Sequence, residues 1–357
     1  MLIVRDYSTS YSEKFSGLGH NAKIVFFVWN SHGIRADTMS KHLGACLYFL
    51  YTSRIRHPTL FIKTLNILRK EKPKIIICQS PPINCALIAL LYRFLFAKLE
   101  PKIIVDAHRG SFQAPWSRIK FMTRFVMTRA DLTIVEDTEV QDLVFSTYSI
   151  KPIILEDPIP VFDQVVFNTD LFNRKLRNNK HDPKFLNVAV INPFTWDSPL
   201  QEILDAASKL RYEANFYLTG DFSKASTNLP ERSENVVVTG FLPRIEYESL
   251  LKYVDVVIDL TLDAGRMQAG GYEAIAAGKP LIVSDNPPLR RYFNKGTVHT
   301  GNSEKEIIEA IREAREKKAQ LEKEMLELSS EKQKEWQEKF MNTLIKTIKQ
   351  FLKLNTN

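Results

Sequence analysis

Two series of short apolar runs, each run followed by a stretch with helical spacing, set the limits on what this chain can become. In the first half the runs are Lys23–Trp29, Cys46–Tyr51, Lys74–Cys78, Lys102–Ala107, Leu132–Val135 and Pro152–Leu155. They are nearly continuous rather than alternating, so both strand faces need cover, and the intervening helical stretches supply it. The consequence is a parallel sheet flanked by helices. A second series runs through Leu186–Ile191, Asn215–Leu218, Val236–Thr239, Val254–Leu260, Pro280–Val283 and Thr297–Thr300. Between them lie Asp157-Pro158-Ile159-Pro160 and the polar stretch Asn173–Pro183, where prolines and then an Asn/Lys/Arg cluster interrupt both periods. A chain of 357 residues is too long for one ordinary core and suits two α/β domains.

After Ser303 the chain is charged and helical, with Ser329-Ser330 read as a break and N-cap. Trp336, Phe340, Leu344, Ile348 and Leu352 then recur every fourth residue as one apolar stripe, expected to dock on a domain. Cys46, Cys78 and Cys85 have neither CxxC nor metal-ligand spacing and read as reduced core residues of a cytosolic protein. Arg5, Asp6, Glu13 and Lys14 leave no apolar region for a signal peptide. The longest apolar stretch, Ile83–Ala97, is short, contains Arg93, and is expected to be a buried helix rather than a membrane span.

The net charge of +8 is uneven: residues 1–150 hold 20 Lys/Arg and 11 Asp/Glu, residues 151–357 hold 29 and 30. A polyanionic partner for the first half is implied, be it an anionic membrane, a phosphorylated acceptor or nucleic acid. No nucleic-acid motif accompanies the charge, so nucleic acid is set aside. No Asp-x-Asp pair, Walker loop or Gly-x-Ser-x-Gly elbow occurs, and the seven histidines lack ligand spacing. No metal is expected. The sequence Gly17-Leu18-Gly19-His20-Asn21-Ala22 precedes the first run instead of following it, so it is no dinucleotide fingerprint.

The segment with most chemistry is Gly270-Gly271-Tyr272-Glu273-Ala274-Ile275-Ala276-Ala277-Gly278-Lys279-Pro280, leading into Leu281-Ile282-Val283. A glycine pair opens a short helix, a glycine closes it, and one carboxylate stands in its first turns. With Val236–Phe241 and Asp255–Leu260 ahead of it, the segment resembles the nucleotide-sugar-binding half of GT-B glycosyltransferases, particularly the GT4-type group. In that group a glutamate followed by Ala-x-Ala-x-Gly-x-Pro binds the donor's ribose hydroxyls. The resemblance implies an α/β, GT-B fold: two Rossmann-like parallel-sheet domains facing a cleft, residues 1–160 and 185–328, a linker over 161–184, and a terminal helix, 329–357, crossing back. Donor-binding candidates are Glu273, Gly270, Gly271, Tyr272 and Arg266, the arginine offering charge to the diphosphate. Arg290 and Arg291 are further sources of charge. Two departures stand out. Eight residues before Glu273 is Gly265, where the group has a sugar-contacting glutamate, and Asp263 is out of register. The stretch Asn192–Asp197 lacks the group's diphosphate-binding basic residue.

In the first half, Asp106 and His108 end a strand two residues apart and so share a face, a carboxylate and an imidazole in the arrangement of a proton-accepting pair. Asp106-Ala107-His108 resembles the strand-end motif of ALG1-like mannosyltransferases. Ser31, His32 and Gly33 in the first strand-to-helix loop, with Arg109 and Glu136, are candidates for the acceptor side of the cleft. Asp137 reads as an N-cap and Asp157 as part of the hinge. Tyr48, Phe49, Tyr51, Arg54, Arg56 and His57, and later Arg118, Lys120, Phe121, Arg124 and Phe125, interleave basic and aromatic residues, half of the aromatics being expected in the core.

The expectation is a hexosyltransferase that uses a UDP- or GDP-sugar as donor substrate, requires no cofactor, and glycosylates a glycan or lipid-linked acceptor in surface polysaccharide or glycolipid synthesis. It would work in the cytoplasm, peripherally on an anionic membrane. The alternatives are a nucleotide-sugar epimerase of the same fold and a non-catalytic partner subunit.

Overall fold

A computed structural model of the chain describes residues 2–8, 18, 23–30, 33–52, 57–162, 184–222 and 233–353. These divide into two compact units, one of Met1–Pro158 with Glu335–Asn357 and the other of Ile159–Lys334.

The first unit is built on seven strands: β1 (Leu2–Asp6), β2 (Ile24–Trp29), β3 (Cys46–Leu50), β4 (Ile75–Ser80), β5 (Lys102–Ala107), β6 (Leu132–Val135) and β7 (Ile153–Ile154), ordered β1-β3-β2-β4-β5-β6-β7. All neighbours are parallel except β1, which runs antiparallel to β3 with Leu2 opposite Leu50. β1 does not show in the pattern of apolar runs. As an edge strand it is largely exposed and carries Arg5 and Asp6, as charged edges do. Between the strands lie α1 (Ile34–Leu43), α2 (His57–Glu71), α3 (Asn84–Leu95), α4 (Lys120–Arg129) and α5 (Thr138–Tyr148).

Every residue of β2 is buried. Val25, Phe27 and Trp29 point into one core with α3, while Ile24, Phe26 and Val28 point into the other with α1. Each such phenylalanine contributes about 1.5–3 kcal/mol over exposure, which is why the run is a central strand. The three cysteines are free and buried. α3 matches the expected helix in Ile83–Ala97, although Phe94 and Leu95 at its end are exposed rather than buried.

The second unit has strands β8 (Leu186–Ile191), β9 (Ala214–Thr219), β10 (Val236–Gly240), β11 (Val256–Asp259), β12 (Leu281–Ser284) and β13 (Thr297–Thr300), all parallel, ordered β10-β9-β8-β11-β12-β13. Its helices are α6 (Leu200–Lys209), α7 (Arg244–Tyr253), α8 (Ala269–Ala277), α9 (Pro287–Tyr292), α10 (Glu304–Glu316) and α11 (Lys318–Lys339). α11 continues through Ser329-Ser330, correcting the expected break there. Leu321, Met325 and Leu328 are buried on one side of it, and that packing outweighs the modest helix propensity of two serines.

After α11 come a π-helical turn, Phe340–Ile345, and α12 (Lys346–Phe351). Trp336, Phe340, Leu344 and Ile348 are buried in the first unit's core with Ile24, Phe26 and Met39. A four-residue repeat drifts by about 40° per step around an ideal α-helix. The wider winding of the π turn takes up that drift and keeps the stripe on one side.

Candidate functional site

In the second unit the site grows from the ends of β11 and β8. β11 closes on Asp259, buried, whose Oδ2 accepts a 2.8 Å hydrogen bond from the Gly270 amide at the start of α8. A Cβ on Gly270 would stand 2.4 Å from that oxygen, and one on Gly271 2.3 Å from Cζ of the buried Phe293. Both glycines are therefore required by close packing. Their amides are turned to Asp259 and to the carbonyl of Gln268, not outward, which changes the role expected of them. Gly278, at φ +69°, ends α8, and the Lys279 amide reaches back to the carbonyl of Ala274.

Within α8, Tyr272 is 6% exposed and packs on Tyr292 and Phe293, with ring centroids 4.9 and 5.7 Å away. Its side chain belongs to the unit's core. One position on, the helix turns Glu273 out of the core, where its Oε2 accepts from the Tyr247 hydroxyl of α7. Burial raises the Glu273 carboxyl to about 7, opposed by the Tyr247 hydrogen bond and assisted by Glu248. Asp259 is pushed up to about 8 by burial and by Glu273, against the Gly270 amide. Two neighbouring acids thus titrate near neutrality, a property concentrated at functional sites.

The loop after β8 supplies the other wall. Asn192 Oδ1 accepts from the Phe194 amide at 2.7 Å, and Asp197, buried, accepts from Thr195 Oγ1 at 2.5 Å and Thr261 Oγ1 at 3.1 Å. Arg266 Nη1 reaches Asp197 Oδ2 at 2.6 Å with its side chain 39% exposed. The loop that lacks a basic residue in sequence is therefore given one in space, from 69 residues away. Asp263 is held in its own loop, its Oδ1 accepting from the Gly265 amide at 3.0 Å. Arg290 pairs with Asp285.

In the first unit, Asp106 and His108 meet as expected, His108 Nε2 lying 3.3 Å from Asp106 Oδ2. A second carboxylate, Glu136, lies 2.9 Å from the other ring nitrogen, Nδ1. Neither contact is aligned as a hydrogen bond: Nε2 and Glu136 Oε2 are both buried without such a partner among the described residues. Burial opposes charge on the ring, but the carboxylates of Asp106 and Glu136 outweigh it and raise His108 to about 10. The ring then carries its proton at pH 7. Asp106 is in turn held far below the carboxylate range, its burial overcome by Arg35 and His108. Arg35 Nε and Nη2 grip Asp106 at 2.8–3.1 Å, while Nη1 donates to the carbonyls of Leu155 and Glu156 and approaches Asp157 at 3.2 Å. The expected proton-accepting pair thus stands within a buried ion cluster with Arg35 and Glu136.

Arg109 donates its amide to Glu136 Oε1 at 2.9 Å, and Asp137 caps α5 through the Val140 amide at 2.7 Å, as its position implied. Gly33 precedes α1 at φ −127°, where any residue fits. Ser31 and His32 lie outside the described residues, as do residues 53–56. Tyr48 is buried and stacks on Phe27, whereas Phe121 and Phe125 are exposed. Arg35, Tyr247, Asp259 and Asp197 had no assigned role in the sequence. Asp259 and Asp197 stand where a run or loop ends, a signal available in principle; Tyr247 has none.

Compared by sequence, the chain matches no family model and no curated protein. Its fold, with two parallel-dominated α/β sheets, is that of GT-B glycosyltransferases. Among solved structures it is similar to a glycosyltransferase from Rickettsia africae, with a TM-score of 0.67 and 13% identity over 94% of this chain and 100% of that one. HepE of Anabaena, solved with UDP-glucose, gives 0.62 and 13% over 90% and 99%. The UDP-GlcNAc 2-epimerase of Methanocaldococcus jannaschii gives 0.53 and 13% over 81% and 92%. At such identities the likeness is one of fold. Among the described residues no helix is long and apolar enough to cross a membrane.

Proposed function

We propose that the chain is a glycosyltransferase that moves a sugar from a nucleotide diphosphate sugar, UDP- or GDP-linked, to a hydroxyl of a glycan or lipid-linked acceptor in surface polysaccharide or glycolipid synthesis, working peripherally on the cytoplasmic face of an anionic membrane. The observation that carries this reading is Glu273, a carboxyl turned out of a glycine-headed helix and held on one oxygen by Tyr247. The second oxygen has no hydrogen bond among the described residues, so the group can accept from the paired hydroxyls of a ribose. Ligand hydroxyls favour its ionised form, so binding should draw the carboxyl down from about 7. Arg266, beside the loop after β8, offers a cation to a diphosphate, with Asp197 fixing its guanidinium. Gly270, Gly271 and Asp259 set where α8 begins and hence where Glu273 stands.

In the first unit we assign Asp106, His108 and Glu136 a positioning role on the acceptor side, and propose Arg109, Gly33, Ser31 and His32 as further acceptor-side residues. The ion cluster fixes the ends of β5 and β6 and the start of α1. Similarity in fold to a 2-epimerase favours one second reading, in which the nucleotide sugar is itself the only substrate.

Melting the chain with a panel of UDP- and GDP-sugars tests the proposal. A ligand at a hundred times its Kd should stabilise by about 2.7 kcal/mol. No shift with any donor rejects it, and product formed without acceptor selects the epimerase.

A further inference from the structure

α2, α3 and α4 of the first unit enclose a groove of about 560 Å³ open to the surface, with walls of Phe61, Leu87, Leu90, Leu91, Phe94 and Phe125. Around it, Phe94 is 79% and Phe121 73% exposed, a heavy outlay of aromatic surface for a face otherwise facing water. α4 shows how it is made. Thr123, Val126 and Met127 face the core, Phe121 and Phe125 form one outer row, and Lys120 and Arg124 form the row beside it. Arg129 stacks its guanidinium on Phe125 at 4.1 Å.

The charge here is predominantly positive. From residue 57 to 130 there are thirteen Lys/Arg and three Asp/Glu, and α3, α4 and the turn Trp116–Ile119 contain no acid. Among the described residues Arg118, Lys120 and Arg124 have no carboxylate partner, whereas Arg93 is held by Asp131 at 2.6 Å. An apolar groove between exposed aromatics, rimmed by cations of one sign, is complementary to the boundary of an anionic bilayer: phosphates meet the basic row and acyl chains meet the groove.

We propose that the α2–α3–α4 face is the membrane-docking surface, inserting Phe94, Phe121 and Phe125 among the acyl chains of an anionic bilayer while Arg118, Lys120, Arg124 and Arg129 hold its headgroups. This gives residues to the membrane contact of the proposed transferase and rests on that reading; binding to vesicles needs no donor, so the two fail separately. Charge and insertion make separable contributions. The basic row loses its hold with rising salt, and the aromatic insertion does not.

The experiment is co-sedimentation of the full chain with vesicles of phosphatidylcholine, alone or with about a third phosphatidylglycerol. At low salt, binding to vesicles with phosphatidylglycerol should be severalfold stronger than to phosphatidylcholine alone, and at about 0.5 M salt that preference should fade while a weaker fraction persists on both. Phe94→Ser with Phe121→Ser should abolish that persistent fraction and weaken low-salt binding about tenfold; R118E/K120E/R124E should abolish the preference for the anionic lipid. All five side chains are exposed, so both variants should melt as the parent does. In a third variant, Phe121→Trp, emission should shift to the blue on adding anionic vesicles. Equal binding to neutral and anionic vesicles, unchanged binding of both charge and aromatic variants, or no shift at residue 121 overturns the proposal. So does a vesicle-indifferent dimer that the double serine variant dissociates, which would make the face an interface between copies.

Discussion

Replacing Glu273 by glutamine isolates the electrostatic cost of the group at the centre of the candidate donor site. Burial raises this carboxyl from 4.5 to about 7, a difference of roughly 2.5 pKa units. At 1.36 kcal/mol per unit, keeping it ionised in the folded chain costs about 3 kcal/mol. Between those two values the folded group binds a proton that the unfolded one has released. Stability contributed at Glu273 therefore falls as pH rises from about 4.5 to about 7, and is level above. A glutamine amide in its place keeps the Tyr247 hydrogen bond and has no charge to bury, so Glu273→Gln should match the parent near pH 4.5 and exceed it by up to about 3 kcal/mol near pH 8. Denaturation midpoints of both proteins across that range measure the difference, and a ¹³C carboxyl titration reads the group directly. Parallel stability curves, or a midpoint near 4.5, would refute the burial argument.

The same substitution should weaken nucleotide-sugar binding by about 1.5–3 kcal/mol, because a neutral amide is a poorer acceptor for two hydroxyls; unchanged calorimetric affinity removes Glu273 from the site. Gly271→Ala places a methyl against the fully buried ring of Phe293 and should destabilise by about 1–3 kcal/mol, so an unaltered melting temperature would show that the ring yields. Arg35→Ala leaves Asp106 buried without its main partner and should cost about 3–5 kcal/mol, with loss of less than about 1 kcal/mol contradicting the ion cluster. His108 is raised above its ordinary value, so its contribution is fully present below about 6.5 and lost as pH rises through about 10. The stability gap between the parent and His108→Gln should accordingly narrow toward alkaline pH; a gap that widens would show that the ring is neutral in the fold.

Much of the architecture was legible along the chain, because a strand buried on both faces must be apolar throughout. The runs at Ile24–Trp29, Lys102–Ala107, Leu186–Ile191 and Leu281–Ser284 could therefore be recognised without their partners. The same holds for the Gly270-Gly271 opening of α8, its glycine stop, the Asp137 cap and the apolar stripe from Trp336 to Ile348, since each is a local requirement of backbone or helix face. β1 escaped because an exposed edge strand owes its form to the neighbour it pairs with. Ser329-Ser330 misled because burial of residues on either side decided the helix.

At the site the division is sharper. That a carboxylate at 273 would stand on a glycine-headed helix is written in the sequence; that Tyr247 holds it, that Asp259 lies beneath Gly270, and that Tyr272 turns inward were decided only when α7, α8 and β11 packed. A charge state is a property of surroundings. Asp106-Ala107-His108 reads as an acid and a base, but Arg35 from α1 and Glu136 from β6's end convert it to an ion cluster, and neither lies within 25 residues of it in the chain. Arg266 likewise reaches Asp197 across 69 residues to supply the cation that the local sequence lacks. Local backbone geometry and burial pattern are encoded in residues a few positions apart, whereas pKa and hydrogen-bond partnership depend on distances that only the tertiary fold sets.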